Sequence, residues 1–148
     1  HHPRAMEAFL GWGQYVLSPD NSLDPREREL VILRVGARCR CEYEFLRHAL
    51  IARKLGYSDA QLRRIADGPA SGWDGDEGLL LQAVDHLVMY GKAEPELFAT
   101  LMEKMGKQKA IDVIWTTGQY SQVCMFLLTL GVQPDPDIAN DPLRDLFA

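Results

Sequence analysis

Apolar residues recur along this chain at helical spacing from end to end, and no stretch alternates with the period of a strand. Residues 4–17 place Phe9, Leu10, Trp12 and Val16 on one face, closed by Ser18-Pro19-Asp20. Asp24-Pro25-Arg26-Glu27 reads as an N-cap, a proline at the first helical position and a capping-box acid, opening a helix to about Ala37. Residues 42–56 form a third helix. Ser58 with Gln61 opens a fourth, ended near Ala66 by Asp67-Gly68-Pro69. The run from Gly68 to Asp76 is a loop of small and polar residues around Trp73, with a lid over a pocket as the alternative. Helices follow over 77–91, 94–105 and 108–130. The tail Pro134–Ala148, rich in Pro and Asp, cannot continue as helix, and its Leu143, Leu146 and Phe147 should dock on the chain's own body or a neighbouring subunit. The pattern predicts an all-α bundle of about six to seven helices in one domain spanning 1–148, with His1 and His2 read as a tag remnant.

Three polar groups break the pattern where a helix should be oily. On residues 42–56, at about 100° per residue, Phe45, Ala49, Ile51, Ala52 and Leu55 share an arc with Glu44 and His48 at its centre and Cys41 at its start. Arg47, Arg53, Lys54 and Glu42 lie opposite, with Tyr43, Leu46 and Leu50 between them. One helix earlier, Glu29 sits beside Ile32, Leu33 and Gly36 and away from Glu27, Arg34 and Arg38; at Gly36 another helix can approach closely. A buried carboxylate is normally paired or shifted in pKa, so Glu29, Glu44 and His48 make a candidate acid/base group. The plainer alternatives are a core histidine bonded to a carbonyl, carboxylates that serve helix dipoles, and Cys41 as a small buried residue.

The last long helix, Gln108 to Leu130, is apolar nearly all round except for Thr116-Thr117-Gly118-Gln119-Tyr120-Ser121-Gln122, which predicts burial either centrally or between subunits. Its polar centre lines a ligand cavity or closes an interhelix network. His86 reads as a surface or interface residue.

Composition narrows the class. The 148 residues carry a net charge of −5 and are 47% hydrophobic, enough for a proper core. The acid balance and scattered Lys and Arg argue against nucleic acid as a partner. No apolar run is long enough to suggest a membrane span. Cys39, Cys41 and Cys124 are three in number, which with no visible secretory segment points to a reduced, cytoplasmic setting. Cys39-Arg40-Cys41 can act as a redox pair only if its backbone is not helical, because side chains two apart on a helix diverge by about 200°. No Cys/His group has metal spacing, and neither a metal nor a cofactor is expected.

These motifs resemble the carboxymuconolactone decarboxylase and alkylhydroperoxidase D (AhpD-like) superfamily over roughly residues 23–133. Its peroxidase branch carries a Glu, eleven residues, Cys-x-x-Cys, three residues and a His. Glu29, Cys41 and His48 occupy those positions, but Glu44 stands where the second cysteine belongs. Glu44-Phe45-Leu46-Arg47-His48 is similar to the Glu-Leu-x-x-His motif of the decarboxylase branch. Ile51 through Ser58 resembles the family's helix end and turn, and Gly118 through Gln133 its last helix. The resemblance implies an AhpD-like bundle that self-associates as a dimer, trimer or hexamer. It also implies an enzyme acting on a small molecule. The expected site is a pocket between the helices of Glu29, Glu44/His48 and residues 108–130. His48, Glu44, Glu29 and Cys41 would be its catalytic groups, and Tyr120, Gln119, Phe45 and Trp115 its lining. The leading reaction is decarboxylation, isomerisation or hydration of a small organic acid or lactone by the Glu/His pair. The alternatives are hydroperoxide reduction through Cys41, resolved by Cys39 or an external thiol, and a ligand-binding member without catalysis.

Overall fold

A computed structural model describes residues 2–69 and 71–148; His1, and Ala70 within the loop before residue 76, lie outside the described residues. The chain folds as α1 (Pro3–Leu17), α2 (Pro25–Arg38), α3 (Glu42–Lys54), α4 (Asp59–Asp67), α5 (Gly75–Tyr90), α6 (Pro95–Met105), α7 (Lys107–Thr129) and a short 3₁₀ helix (Pro142–Phe147). Among the described residues every regular element is helical.

The helix α2 is the centre of the bundle, packed on α3, α4, α5 and α7. Its sequence explains this: Leu30 through Val35 is apolar apart from Arg34, leaving no face to give to water, and all six residues are buried. The capping box forms as expected, with Asp24 accepting from the Arg26 and Glu27 amides and the Glu27 carboxylate accepting from the Asp24 amide at 2.9 Å. At Gly36 a Cβ would lie 3.2 Å from the Phe45 nitrogen, so the missing side chain is what lets the start of α3 cross α2 so closely.

Some faces differ from those the helical wheel gave. Arg34, placed outward by phase, is buried: its guanidinium holds Asp85 at 2.6 and 2.8 Å and the last carbonyls of α4, Ile65 and Ala66. Such a fork of donors satisfies orphan helix carbonyls and a carboxylate at once. On α3, Leu46 is fully buried and Ile51 is 40% exposed, because the tail and α2 together cover a wider arc than one apolar stripe. Trp73 is anchored in the core under the Arg64 guanidinium, 4.7 Å from its ring, and is not among the residues that line the hollows described below. His86 is half-buried and packs edge-on against Tyr90.

Polar side chains tie the tail to its own body. Ile138 and Leu143 are fully buried, Phe147 packs on Phe45 at 5.4 Å, and Arg53 pairs with Asp141 at 2.6 and 3.0 Å. Arg47 and Tyr43 hold Asp135, and Arg63 holds Asp145. Among the described residues no helix is long and apolar enough to cross a membrane.

Candidate active site

Two neighbouring helices and one hydrogen-bonded imidazole make the centre. Glu29 lies on the second turn of α2 and His48 in the middle of α3, where the crossing at Gly36 brings their faces together. His48 Nδ1 lies 2.7 Å from Glu29 Oε2, and His48 Nε2 lies 3.0 Å from Glu44 Oε1, one turn earlier on α3. All three are buried, at 3%, 6% and 5% exposure for Glu29, His48 and Glu44.

Burial alone would push the His48 pKa down, since it penalises the cation. Hydrogen bonds and charge from Glu29 and Glu44 outweigh it and raise the value from 6.5 to about 9. At neutral pH the ring is therefore an imidazolium, hydrogen-bonded through Nδ1 to Glu29 and ion-paired through Nε2 with Glu44, instead of a neutral imidazole poised near pH 7. Among the described residues no group of three or more His, Cys, Asp and Glu side chains is placed to hold a metal ion. Tyr120 of α7 meets the His48 ring edge-on at 5.0 Å. Its phenol pKa is pushed up by burial and by the Glu44 and Glu29 carboxylates, so it keeps its proton and serves as a donor.

Glu44 is where this chain of groups opens. It forms part of the wall of a hollow of about 440 Å³ together with Gln119, Tyr120 and Val123 of α7 and Phe9, Leu10, Gly13, Gln14 and Leu17 of α1. Gln119 donates to the Phe9 carbonyl at 3.3 Å, and its side-chain oxygen is buried without a partner. A buried acceptor left free at a cavity wall suits a ligand that brings a donor.

The residues singled out from sequence divide accordingly. Glu29, Glu44, His48, Tyr120 and Gln119 converge. Phe45 does not line the hollow; it is fully buried between Gly36 and Phe147. Trp115 is on another face of α7, 48% exposed, where it packs with Trp12 and Tyr15 beside a separate hollow. Cys41 caps the start of α3 and borders a third hollow with Tyr43 and Leu127. The second wall of the Glu44 hollow is α1 and not α2. The apolar stripe of α1 was visible in sequence, but its partner was not, because nothing in a helical pattern says which helix it covers. Gly13 marks the contact: a Cβ there would sit 3.4 Å from the Gln119 amide.

Residues 3–76, half of the chain, match the model of the carboxymuconolactone decarboxylase family, and the chain belongs to that family. Solved structures share the fold. One is a protein of unknown function from Agrobacterium tumefaciens, proposed as the antioxidant defence protein AhpD (TM-score 0.81, 20% identity, covering 90% of this chain and 92% of that one). A second is the alkylhydroperoxidase AhpD core of an uncharacterized peroxidase-related protein from Ralstonia eutropha JMP134 (TM-score 0.81, 19% identity, 94% and 75%). A third is an uncharacterized peroxidase-related protein from Silicibacter sp. TM1040 (TM-score 0.82, 14% identity, 94% and 74%). At these identities the likeness is one of fold. No curated protein matches the chain.

Proposed function

We propose that this family member is an acid/base enzyme that moves a proton at carbon on a small lactone or related carbonyl compound. The observation that carries the reading is the buried chain Glu29–His48–Glu44, closed at one end in the core and open at the other on an otherwise uncharged hollow. Glu44 is the group that touches substrate and takes its proton. His48, protonated and paired with both acids, holds the Glu44 carboxylate and offsets its charge, with Glu29 orienting the ring through its hydrogen bond to Nδ1. Tyr120 donates to the oxygen that gains charge as the proton leaves, and Gln119 accepts from a substrate hydroxyl. A carboxylate base and a phenol donor held on one cavity wall are suited to enolisation and to the isomerisation that follows from it. Because Glu44 is the one charged group in that lining, an uncharged lactone fits better than a free acid.

Solvent-deuterium incorporation into a panel of lactones and cyclic ketones, followed by NMR, tests this. The wild type should exchange an activated C–H, and Glu44→Gln should slow it by about 10²–10⁴-fold while the circular dichroism spectrum is kept. Exchange that survives Glu44→Gln, or a wild type inert to every compound, overturns the reading; the latter outcome favours a ligand-binding member without catalysis. The peroxidase-related names of the structural neighbours point to hydroperoxide chemistry instead. For Cys41 acting at this hollow that is the weaker reading, since Cys41 is 1% exposed and is not part of the hollow's wall.

A further inference from the structure

A second hollow lies apart from Glu44, between the second half of α1 and the first half of α7. Its volume is about 360 Å³ and its lining is three aromatic rings, Trp12, Tyr15 and Trp115. Trp12 and Trp115 meet at 5.3 Å with their planes 89° apart, and Tyr15 stands 6.3 Å from Trp115 at 66°. Rings set nearly at right angles form a corner in which one solute can touch more than one π-face. Both helices build that corner. At Gly118 a Cβ would lie 3.2 Å from the Trp12 ring, so the missing side chain is what seats the indole against α7. Tyr15 is 37% and Trp115 48% exposed, and a solute can reach both.

Behind the corner lies a charge without a counter-charge. Asp112, one turn before Trp115, is 3% exposed and accepts from the Tyr15 hydroxyl at 2.5 Å and from the Ser22 amide and hydroxyl at 2.7 and 2.6 Å. Accepting from every partner is the role of an ionised carboxylate, and all of these donors are neutral. Among the described residues no lysine, arginine or histidine pairs with it; Lys109, three residues earlier, is taken by Glu27 at 2.6 and 2.7 Å. Buried charges are normally paired, so Asp112 leaves a negative field open to a cation from outside the chain. Tyr15 stays neutral beside it, its phenol pushed up to about 12 by the hydrogen bond to Asp112, by burial and by the Asp112 charge. Tyr15 also walls a smaller, polar hollow of about 170 Å³ with Asp20, Ser22, Gln108 and Asp112.

We propose that this aromatic corner binds a small quaternary ammonium alcohol, a trimethylammonium head on a short chain that ends in a hydroxyl. Such a head has no N–H to satisfy and spreads its charge over methyl groups that pack on aromatic faces. A primary ammonium is compact and strongly hydrated, and gives up more on entering an apolar corner. The field of Asp112 favours the cation over an uncharged body of the same shape. The polar hollow on Tyr15 receives the hydroxyl, with Ser22 and Gln108 as its partners. Asp20 and Asp112 repel a carboxylate at that end, so the alcohol fits and a betaine does not. None of the three rings belongs to the wall of the Glu44 hollow, and the site is independent of the reaction there.

The test is an NMR titration of the full, isotope-labelled chain with choline chloride at constant ionic strength, read on the indole N–H signals. Those of Trp12 and Trp115 should move together and saturate with a dissociation constant of about 1 mM or less, while that of Trp73 stays in place. The uncharged isostere, in which a tert-butyl group replaces the trimethylammonium, should bind at least about tenfold more weakly, and glycine betaine likewise. Trp115→Ala, a change at an exposed position, should keep the circular dichroism spectrum and weaken choline by about tenfold or more. Asp112→Asn should weaken it too; should that variant not fold, the isostere decides the part played by charge. Equal binding of the isostere would make the corner a plain apolar contact and overturn the proposal. So would betaine binding as well as choline, a response that survives Trp115→Ala, or no saturable response, as when a second copy of the chain covers the rings.

Discussion

His48 is charged because two acids face it, and this has a consequence for stability. Its pKa is raised on folding, so the contribution of its proton is fully present below the ordinary value of 6.5 and is lost as pH rises through about 9. The size is roughly 3 kcal/mol at the low-pH end. Urea unfolding across that window should show the decline, and His48→Gln should flatten it. The exchange rate should likewise fall above about pH 9 as the imidazolium that holds Glu44 is lost. Glu29, Glu44 and His48 were legible in sequence because an acid or an imidazole on an oily arc is an exception that helical phase exposes. Arg34 was not. Its partners, Asp85 and the Ile65 and Ala66 carbonyls, lie far along the chain, and phase alone assigns an arginine to water. Arg34→Met removes the guanidinium from a buried ion pair and frees two helix-end carbonyls, so it should lower stability by about 2–4 kcal/mol in denaturant unfolding.

Among the elements, α2 and α7 show the two ways in which an apolar helix is used. The apolar run of α2 predicts a central helix, and it is central. On α7 the polar centre turns inward, as its sequence implies, while much of the apolar remainder is exposed within the single chain. Asp112, Thr116, Thr117, Gln119 and Tyr120 face inward, and Ile111, Ile114, Trp115, Met125, Phe126 and Leu128 face outward. Asp112 is held by partners on other elements, Ser22 and Tyr15 at 2.6 and 2.5 Å, and Gln119 donates to the Phe9 carbonyl, contacts that a pattern confined to one helix does not contain, whereas the Thr116 and Thr117 hydroxyls are buried without a partner. The α2–α3 crossing is more predictable, since a glycine between buried neighbours invites close approach. Gly36→Ala places a methyl 3.2 Å from backbone at Phe45 and should cost about 1–3 kcal/mol, with a loss of deuterium exchange as Glu29 and His48 move apart.

For the whole molecule, the outward apolar face of α7 and the exposed Met6, Leu10 and Leu17 of α1 leave a broad oily surface on the single chain. Isolated exposed apolar residues are ordinary, whereas large apolar patches commonly mark contact surfaces. We therefore expect self-association through this face. Sedimentation equilibrium should give a mass above 16.7 kDa, and Ile114→Glu combined with Phe126→Glu should return the monomer. The tail, by contrast, is committed to its own chain through Ile138, Leu143 and the Arg53–Asp141 pair. Ile138→Ala should lower stability by about 2–5 kcal/mol without changing the sedimentation mass.

The sequence by itself determined the helices, their caps and the three polar exceptions, because period, capping chemistry and burial of charge are local or single-helix properties. It determined the family resemblance through the spacing from Glu29 to His48. Tertiary structure alone decided that α1 walls the hollow, that Trp115 and Phe45 lie elsewhere, and that Arg34 is buried. Each of these depends on which faces of distant segments meet, and a helical wheel states which way a residue points without stating what it points at.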